Sequence, residues 1–425
     1  MPLPYRVLQV YNEYRTYGGE DTVADLEAQL LRKAGHQVER LTVSTKELDT
    51  ANAFRLAIAG VGSVWSFRGY SALRKALQRF APDIVHVHNT FPLLSPSIYW
   101  AAARARLPLV QTLHNYRLTC ANALLFRDDR PCEDCVGRFP WPALQHRCCN
   151  GSFWKTAAVA STNVFHSWLG TYCRKVPAYI ALTEFSRDLM VRSGLPKERV
   201  FVKPNFICQP NSTAKPRLRQ IVFLGGDKRL KGLHLLLEAW SLAAPLETRL
   251  LIVGHGCEKP ISQLPAFSDP KFVWCGFQPR EKVIELLAES RFLVFPSLAY
   301  EGFPMALLEA FSVHTPVVVP NHGAFPSLVT HLENGLLFKP GSVNSLAENL
   351  SKGIDATEES WLRWSQNAYD KYRNAYTEVH NYEQLVSIYR QTIASFKAAE
   401  REATQTKARL EFTRDTKNVR GNLRD

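Results

Sequence analysis

The sequence contains no apolar run long enough to span a membrane. The longest candidate, Leu56 to Phe67, is interrupted by two glycines and flanked by Arg55 and Arg68, whereas a spanning helix needs about 18 apolar residues. The N-terminus turns polar by Asn12, so no secretory signal is expected. We therefore expect a cytoplasmic protein whose nine cysteines are thiols or metal ligands rather than disulfides.

Acidic residues are scarce in the first half of the chain. Residues 51–200 contain 19 Lys and Arg but 8 Asp and Glu, whereas residues 201–400 contain 20 and 19. The basic half is expected to meet an anionic partner such as membrane lipid, a lipid-linked phosphate or nucleic acid. An ordinary basic composition without such a partner explains the excess equally well. Nucleic acid is the weakest of these partners because no zinc-finger pair or RNA-binding signature accompanies the charge.

Short apolar strands alternate with helical segments, which predicts two domains with parallel sheets built from βαβ units. The expected strands of the first sheet are 6–10, 38–43, 84–88, 109–113 and 179–182. Those of the second are 220–224, 249–253, 272–275, 292–295, 316–319 and 336–338. The polar segment from Pro210 to Pro216, which follows the run 200–205, is the best candidate for the linker.

Two carboxylates stand eight positions apart, at Glu301 and Glu309. Glu301 follows an apolar strand and precedes Gly302 and Phe303, so we expect it on a loop, with Glu309 about one turn into a helix. Loops at the carboxyl ends of parallel strands line ligand sites, and a helix N-terminus attracts anions. The pair therefore predicts a site for a ligand that carries both hydroxyls and phosphates.

The loop after Leu224 is rich in glycine and contains three cations, Lys228, Arg229 and Lys231. Cations at a strand end beside a helix N-terminus suit a diphosphate. A solvated basic turn is the alternative.

Together with the Gly18-Gly19 loop and the segment 35–38, these features resemble glycosyltransferase family 4. The resemblance covers residues 5–395 and is most specific over 292–340. It implies an α/β protein of GT-B fold, in which two Rossmann-like doubly wound domains face each other. It also implies a retaining hexosyltransferase that uses a nucleotide-sugar as its donor substrate.

We accordingly expect an N-terminal, acceptor-side domain over residues 1–200, with a cysteine-rich insert at 115–150. A nucleotide-sugar-binding domain over 201–375 follows. The resemblance implies that a helix over 376–398 crosses back to the first domain. The charged tail at 399–425 is expected to be a frayed helix or disordered.

The resemblance assigns donor-side roles by position. Glu309 would hold the ribose hydroxyls, for which a carboxylate is a suitable acceptor. Glu301, with the backbone N–H groups of Gly302 and Phe303, would contact the donor sugar. Lys231 would neutralise the departing diphosphate, on which charge builds up in the transition state.

In the first domain, Gly18 and Gly19 would let the backbone approach the phosphates. His114 would lie by the acceptor and the sugar; a strand-end histidine that caps a loop is the alternative. No Asp-x-Asp motif is evident, and we expect a transferase that needs no catalytic metal.

One position departs from the family pattern. The family usually has an arginine directly after the glycine that ends the strand before Lys231, and this chain has Gly226 there. Lys228 or Arg229 is expected to replace that arginine, which makes Arg229 a candidate donor-binding residue.

Four cysteines, Cys120, Cys132, Cys135 and Cys148, have the spacing Cys-x11-Cys-x2-Cys-x12-Cys. One Cys-x2-Cys pair with two flanking ligands is typical of a structural zinc site. His146 is a possible substitute ligand, and free thiols in an irregular loop are the alternative.

Aromatic and basic residues alternate over 54–79. This pattern fits a segment that lies on a membrane surface, and it fits a helix that packs on the first sheet with a basic outer face. A peripheral contact with the inner face of the membrane is therefore one expectation.

The expected product is a glycoside of a surface polysaccharide or glycolipid, made from a saccharide or lipid-linked acceptor. Two alternatives stay open at this point. One is a nucleotide-sugar epimerase of related fold. The other is a catalytically degenerate nucleotide-sugar-binding protein, which the Gly226 departure allows.

Overall fold

A computed structural model describes residues 4–13, 18–45, 60, 62–210, 216–226, 229–243, 247–256 and 271–421, with side chains up to residue 406. It contains two six-stranded parallel sheets and one short antiparallel hairpin. No helix within the described ranges is long and apolar enough to cross a membrane.

The first sheet has the strand order β2-β1-β3-β4-β7-β8. Its strands, with the hairpin β5–β6, are β1 (Arg6–Glu13), β2 (Gln37–Ser44), β3 (Ile84–Val87), β4 (Leu109–Leu113), β5 (Phe126–Arg127), β6 (Arg130–Pro131), β7 (Ala178–Ala181) and β8 (Val200–Val202). The helices of this part are α1 (Gly19–Lys33), α2 (Phe67–Phe80), α3 (Ser97–Arg104), α4 (Trp141–Gln145), α5 (Phe153–Trp168) and α6 (Glu184–Arg192).

The second sheet has the order β11-β10-β9-β12-β13-β14, which is the dinucleotide-binding order 3-2-1-4-5-6. Its strands are β9 (Gln220–Leu224), β10 (Arg249–Val253), β11 (Phe272–Gly276), β12 (Phe292–Val294), β13 (Val317–Pro320) and β14 (Gly335–Phe338). The described helices are α7 (Leu233–Ala243), α8 (Arg280–Glu289), α9 (Met305–Ser312), α10 (Phe325–Leu328), α11 (Val343–Ile354), α12 (Glu358–Ala375) and α13 (Glu378–Gly421).

The last helix belongs to both halves of the molecule. α13 begins directly after α12 and packs Leu385 and Tyr389 into an apolar cluster of the first sheet with Val7 and Ile84. This helix continues to Gly421, into the tail for which a frayed helix or disorder is expected. The tail is rich in Ala, Glu, Lys and Arg, and these strong helix formers sustain a helix without an apolar face.

Two segments connect the domains, and they lie side by side. Asn381 Nδ2 donates to the carbonyl of Pro204 at 3.1 Å. The Tyr372 hydroxyl donates to the carbonyl of Ile207 at 3.2 Å, and the Ile207 N–H donates to the carbonyl of Tyr376 at 3.3 Å. The crossings near 203–207 and 372–381 therefore form one hydrogen-bonded junction.

The segment 54–79 is described only in part, because residues up to 59 lie outside the described ranges. α2 buries Leu73, Ala76 and Leu77 and exposes Arg74 and Lys75. It packs into the core of the first sheet. For the described part of this segment, a packed helix with a basic outer face accounts for the pattern.

A fully buried ion pair ties the end of the first sheet to α1. Lys203, directly after β8, lies 2.7 Å through its Nζ from Glu27 Oε1, and neither side chain is exposed. Burial alone would raise the pKa of Glu27, but Lys203 and His86 outweigh it, and the pKa is lowered. Glu27 is therefore a buried carboxylate that depends on its cation.

We predict that Lys203→Met lowers the free energy of unfolding by about 3–5 kcal/mol, because it leaves Glu27 charged and unpaired in the core. The double variant Glu27→Leu, Lys203→Met should recover most of that loss. Arg79→Ala, which removes an exposed pair with Glu39, is the control and should cost at most about 1 kcal/mol. Urea denaturation measures all four proteins; a Lys203→Met variant as stable as the Arg79→Ala variant would contradict the prediction.

Candidate functional site

The predicted donor residues of the second domain meet where its strand order reverses, between β9 and β12. Lys231 follows β9, and its Nζ lies 2.8 Å from Glu301 Oε1 on the loop after β12. The Ser297 hydroxyl donates to the same carboxylate oxygen at 2.7 Å. Ligands of open α/β sheets bind at such a crevice, so the pair lies where a nucleotide ligand is expected.

Close backbone packing holds these two loops together. Gly232 has φ +74°, and a Cβ built there would lie 2.0 Å from the carbonyl oxygen of Pro296. The N–H of Leu298 donates to the carbonyl of Leu230 at 2.8 Å. A residue with a side chain at position 232 would separate the loops, and Lys231 would then move away from Glu301.

Glu309 lies on α9, in the helix that follows Glu301. Burial raises the pKa of Glu309, and Arg280 opposes that rise through a 2.9 Å contact from Nε to Glu309 Oε1. The carboxylate keeps further acceptor capacity for hydroxyls. The side chain of Phe303 is buried against Tyr376, so its backbone N–H is the group available to a ligand.

The first domain approaches the same place at two points. A Cβ on Gly302 would lie 2.9 Å from the carbonyl oxygen of His114, and one on Gly19 would lie 3.6 Å from Cγ of Met305 at the start of α9. The glycine loop and the loop that carries His114 therefore lie on the first-domain side of the same cleft as Glu301. A side chain at position 302 would not fit between the domains.

His114 is held by a second histidine behind it. Gln9 Nε2 donates to the carbonyl of Ala24 at 2.9 Å and lies 3.0 Å from His88 Nε2. His88 Nε2 therefore accepts, and His88 Nδ1–H donates to His114 Nε2 at 3.0 Å. Burial lowers the pKa of His114 to about 3. His114 is thus neutral, with its remaining proton on Nδ1 as a donor.

Glu20 is a cleft residue that the sequence analysis missed. It follows Gly19 on the first turn of α1, and Asn115 Nδ2 donates to its Oε2 at 3.3 Å. Its Oε1 is buried without a hydrogen-bond partner. Burial raises the pKa of Glu20 to about 7, against the opposing effects of Asn115, Arg117 and Asn89. The signal available in the sequence was a carboxylate directly after the glycine loop.

Arg229 lies apart from Glu301. Its Nε pairs with Asp129 of the β5–β6 hairpin, in the insert of the first domain. Lys228, the other candidate replacement for the missing arginine, lies outside the described residues. At Gly226 a Cβ would lie 3.3 Å from the carbonyl oxygen of His255. Donor binding by Arg229 therefore stays a prediction, and the cation already has an anionic partner.

The insert brings the four predicted cysteine ligands into one region as free thiols. Burial, aided by the nearby thiols of Cys120, Cys148 and Cys132, raises the pKa of Cys135 to about 11. Burial likewise raises the pKa of Cys148. Arg127 lies close enough to Cys132 and Cys148 to oppose the rise in their pKa. Zinc binding by the four cysteines stays a prediction.

Among the described residues, one group places three ligand-type atoms within 4.8 Å of one another, and it contains no cysteine. It consists of Glu27, His86 and His88, all buried. Lys203 already supplies a cation to Glu27. The ring nitrogens of His86 lie within hydrogen-bonding distance of the Tyr389 and Thr112 hydroxyls. We therefore interpret this group as part of the support for His114.

The Glu20 site makes a prediction about stability. Its pKa in the folded protein is raised above the ordinary value of 4.5, so its contribution to stability is present at low pH and is lost as pH rises through about 7. Glu20→Gln should therefore be more stable than the parent at pH 8 by about 2 kcal/mol and similar to it at pH 4. Urea denaturation at both pH values measures this difference.

Glu348→Gln, at an exposed position of α11, is the control and should leave the pH dependence unchanged. A Glu20→Gln variant with the same pH dependence as the parent would show that the carboxyl ionises normally.

Two family models match the chain. One, described as glycosyltransferase family 4, matches residues 17–208, and the other, glycosyl transferases group 1, matches residues 219–355. The O-antigen chain mannosyltransferase B of Escherichia coli is 28% identical over 205 residues, which cover 43% of this chain and 52% of that protein. The MMP alpha-(1->4)-mannosyltransferase of Mycolicibacterium hassiacum is 28% identical, with 57% and 61% covered.

These alignments span about half to three fifths of the two relatives. The phosphatidyl-myo-inositol mannosyltransferase of Mycobacterium leprae is 25% identical over 76% of this chain and 80% of its own length. All three relatives are named as transferases, which gives the epimerase alternative no support.

Solved structures share the fold. A glycosyltransferase from Rickettsia africae superposes with a TM-score of 0.66 at 15% identity, covering 92% of this chain and 99% of that one. The HepE protein of Anabaena, solved with UDP and glucose, gives 0.62 at 18% identity, covering 90% and 98%. The predicted arrangement of two Rossmann-like domains in a GT-B fold is thereby confirmed. The chain belongs to glycosyltransferase family 4.

Proposed function

We propose that this protein transfers a sugar from a nucleotide-sugar to an acceptor hydroxyl, in the synthesis of a surface polysaccharide or glycolipid. The observation that carries the proposal is the 2.8 Å contact of Lys231 with Glu301, which faces His114 across the cleft. These residues bring together a cation for the diphosphate, a carboxylate for the sugar hydroxyls and a neutral hydrogen-bond donor.

In the proposed reaction the bond between the sugar and the diphosphate breaks, and a new bond forms to the acceptor oxygen. Lys231 stabilises the charge that appears on the diphosphate. The N-terminal end of α9 adds its partial positive charge there, so the arrangement needs no catalytic metal. Retention follows if the acceptor attacks from the face that the diphosphate leaves, with the acceptor proton passing to a phosphate oxygen.

The acceptor is proposed to lie on the first-domain side of the cleft. His114 offers an Nδ1–H donor, because His88 occupies its Nε2. Glu20 offers a buried oxygen that lacks a partner and suits an acceptor hydroxyl. We propose that the acceptor is a saccharide or a lipid-linked saccharide. We also propose that the protein acts at the inner face of the membrane.

The donor is proposed to be a nucleoside-diphosphate sugar. HepE is described with UDP and with UDP-glucose, and the relatives described above are named as mannosyltransferases. We therefore propose a panel of UDP- and GDP-linked hexoses. A ligand present at a hundred times its dissociation constant should stabilise the protein by about 2.7 kcal/mol, which thermal shift detects.

Lys231→Ala should abolish transfer, with a loss of at least about 10³-fold in kcat, because the diphosphate loses its cation in the transition state. Transfer is measured with the donor that the panel selects. A variant that keeps the parent rate would contradict the assignment of Lys231.

Arg229→Ala and Asp129→Ala separate two roles of the arginine. If Arg229 binds the diphosphate, Arg229→Ala weakens donor binding by about tenfold or more, whereas Asp129→Ala leaves it equal or tighter because a competing anion is gone. We expect this first pair of results, with donor binding measured as the KM for the nucleotide-sugar. Equal losses in both variants would show that the arginine only ties the insert to the second domain.

We propose further that Cys120, Cys132, Cys135 and Cys148 hold a structural zinc ion, which thiolates bind in a tetrahedral set. Metal analysis of the purified chain should find about one equivalent of zinc. Cys135→Ser should lose it, and Cys275→Ser, in β11 of the other domain, should keep it. Less than about a tenth of an equivalent in the parent would leave the insert as a thiol cluster.

A further inference from the structure

The outer face of α5 exposes large aromatic side chains. Trp154 is 80% exposed and Trp168 is 79% exposed, and Phe165 lies between them. Positions 154, 165 and 168 fall on one face of a helix. The opposite face of the helix buries Val159 and Ala160. The helix therefore has an ordinary buried side and a second apolar side that faces solvent.

Neighbouring residues extend this apolar side. Phe139 and Phe153 join Phe165 and Trp168 around a groove of about 370 Å³. We call Phe139, Phe153, Trp154, Phe165 and Trp168 the aromatic face. Contiguous exposed apolar surface on this scale marks an interaction site in most proteins.

A second groove lies on the inner side of α5, near the beginning of α2. His166 of α5 stacks on Trp65, with ring centroids 5.9 Å apart. Trp65 then lines a groove of about 420 Å³ with Phe67, Trp100 and Lys175. Phe67 at the start of α2 is 80% exposed. The two grooves are thus linked through the buried ring of His166 rather than by one continuous surface.

The stretch of chain that carries the aromatic face has charged residues of one sign. Residues 135–183 contain no Asp or Glu and five Lys or Arg, which are Arg138, Arg147, Lys155, Arg174 and Lys175. Among the described residues none of these five forms an ion pair with a carboxylate. Exposed Trp and Phe together with unpaired cations are characteristic of surfaces that insert into the headgroup region of an anionic bilayer.

The aromatic face lies one layer from the proposed acceptor side. Asn163 of α5 donates through Nδ2 to the carbonyl of Arg117 at 2.9 Å. Arg117 is near enough to Glu20 to lower the pKa of that carboxyl. A surface on which α5 rests would therefore be next to the mouth of the cleft where the acceptor enters.

We infer that the aromatic face docks the protein on the surface of an anionic lipid bilayer. The aromatic rings enter the headgroup region, and the surrounding Lys and Arg side chains contact lipid phosphates. The link to a lipid-linked acceptor rests on the proposed function, whereas the docking itself does not.

Flotation of the full chain with two kinds of vesicle tests this inference. One kind is phosphatidylcholine alone, and the other is phosphatidylcholine mixed with phosphatidylglycerol. The parent should float with the mixed vesicles and lose binding as salt is raised. The double variant Trp154→Ser, Trp168→Ser should bind at least about tenfold more weakly. Lys155→Glu should bind about fivefold or more weakly, since one basic residue near the surface contributes about that factor.

Leu362→Ser, at an exposed leucine of α12 in the second domain, is the matched control and should bind like the parent. Tryptophan emission of the parent should shift to the blue with the mixed vesicles, and the double variant should lose most of that shift. Transfer to a water-soluble acceptor is measured for each protein, so a loss of vesicle binding with unchanged transfer separates docking from catalysis.

Three results would overturn the inference. The first is a parent that floats with neither vesicle at low salt. The second is a double variant that floats as well as the parent. The third is a dimer in solution that the tryptophan substitutions dissociate while vesicle binding is absent, which would assign the aromatic face to a second copy of the chain.

Discussion

The buried contact of Lys203 with Glu27 is the interaction on which the first domain's half of the cleft depends. Glu27 lies on α1, and its second oxygen is 3.6 Å from His88 Nε2 and 3.8 Å from His86 Nδ1. His88 then holds His114 at the cleft. Because both members of the ion pair are fully buried, neither can be solvated if the other leaves. His114 is thus supported by a histidine that packs directly beside this buried ion pair.

The second domain uses backbone packing where the first uses a buried charge. Gly232 lets the loop after β9 touch Pro296, and Gly302 lets the loop after β12 touch the carbonyl of His114. Each contact is too close for a Cβ atom, so the position of each loop depends on the absence of a side chain at its glycine. Lys231 and Glu301 are carried on these loops, which explains how two charged, partly exposed side chains keep a defined geometry.

The sequence predicted the features that repeat along the chain. Each apolar run assigned as a strand coincides with a strand of one of the two sheets, because parallel strands buried on both faces are nearly continuous apolar runs. Glu301 and Lys231 were recognisable because each follows such a strand beside a glycine. The end of α13 was not, since its run of strong helix formers shows no apolar period in the sequence.

Long-range polar contacts also could not be predicted from the sequence. Glu27 lies among Ala24, Ala28 and Leu31 on the buried face of α1, and nothing local reveals that its partner is at position 203. The pairing of Arg229 with Asp129 joins residues 100 positions apart. Contacts of this kind depend on how two finished domains meet, so only the structure locates them.

The two chain crossings between the domains have a mechanical consequence. A body attached through two adjacent, hydrogen-bonded segments keeps essentially one rotational degree of freedom, about an axis through those segments. Displacement grows with distance from that axis, so the rims of the cleft travel furthest when it opens. Lys203 directly precedes Pro204 of this junction, so a rotation about such an axis would displace its ion pair with Glu27 much less than the rims. The junction would in this way let the cleft widen without straining the core of the first domain.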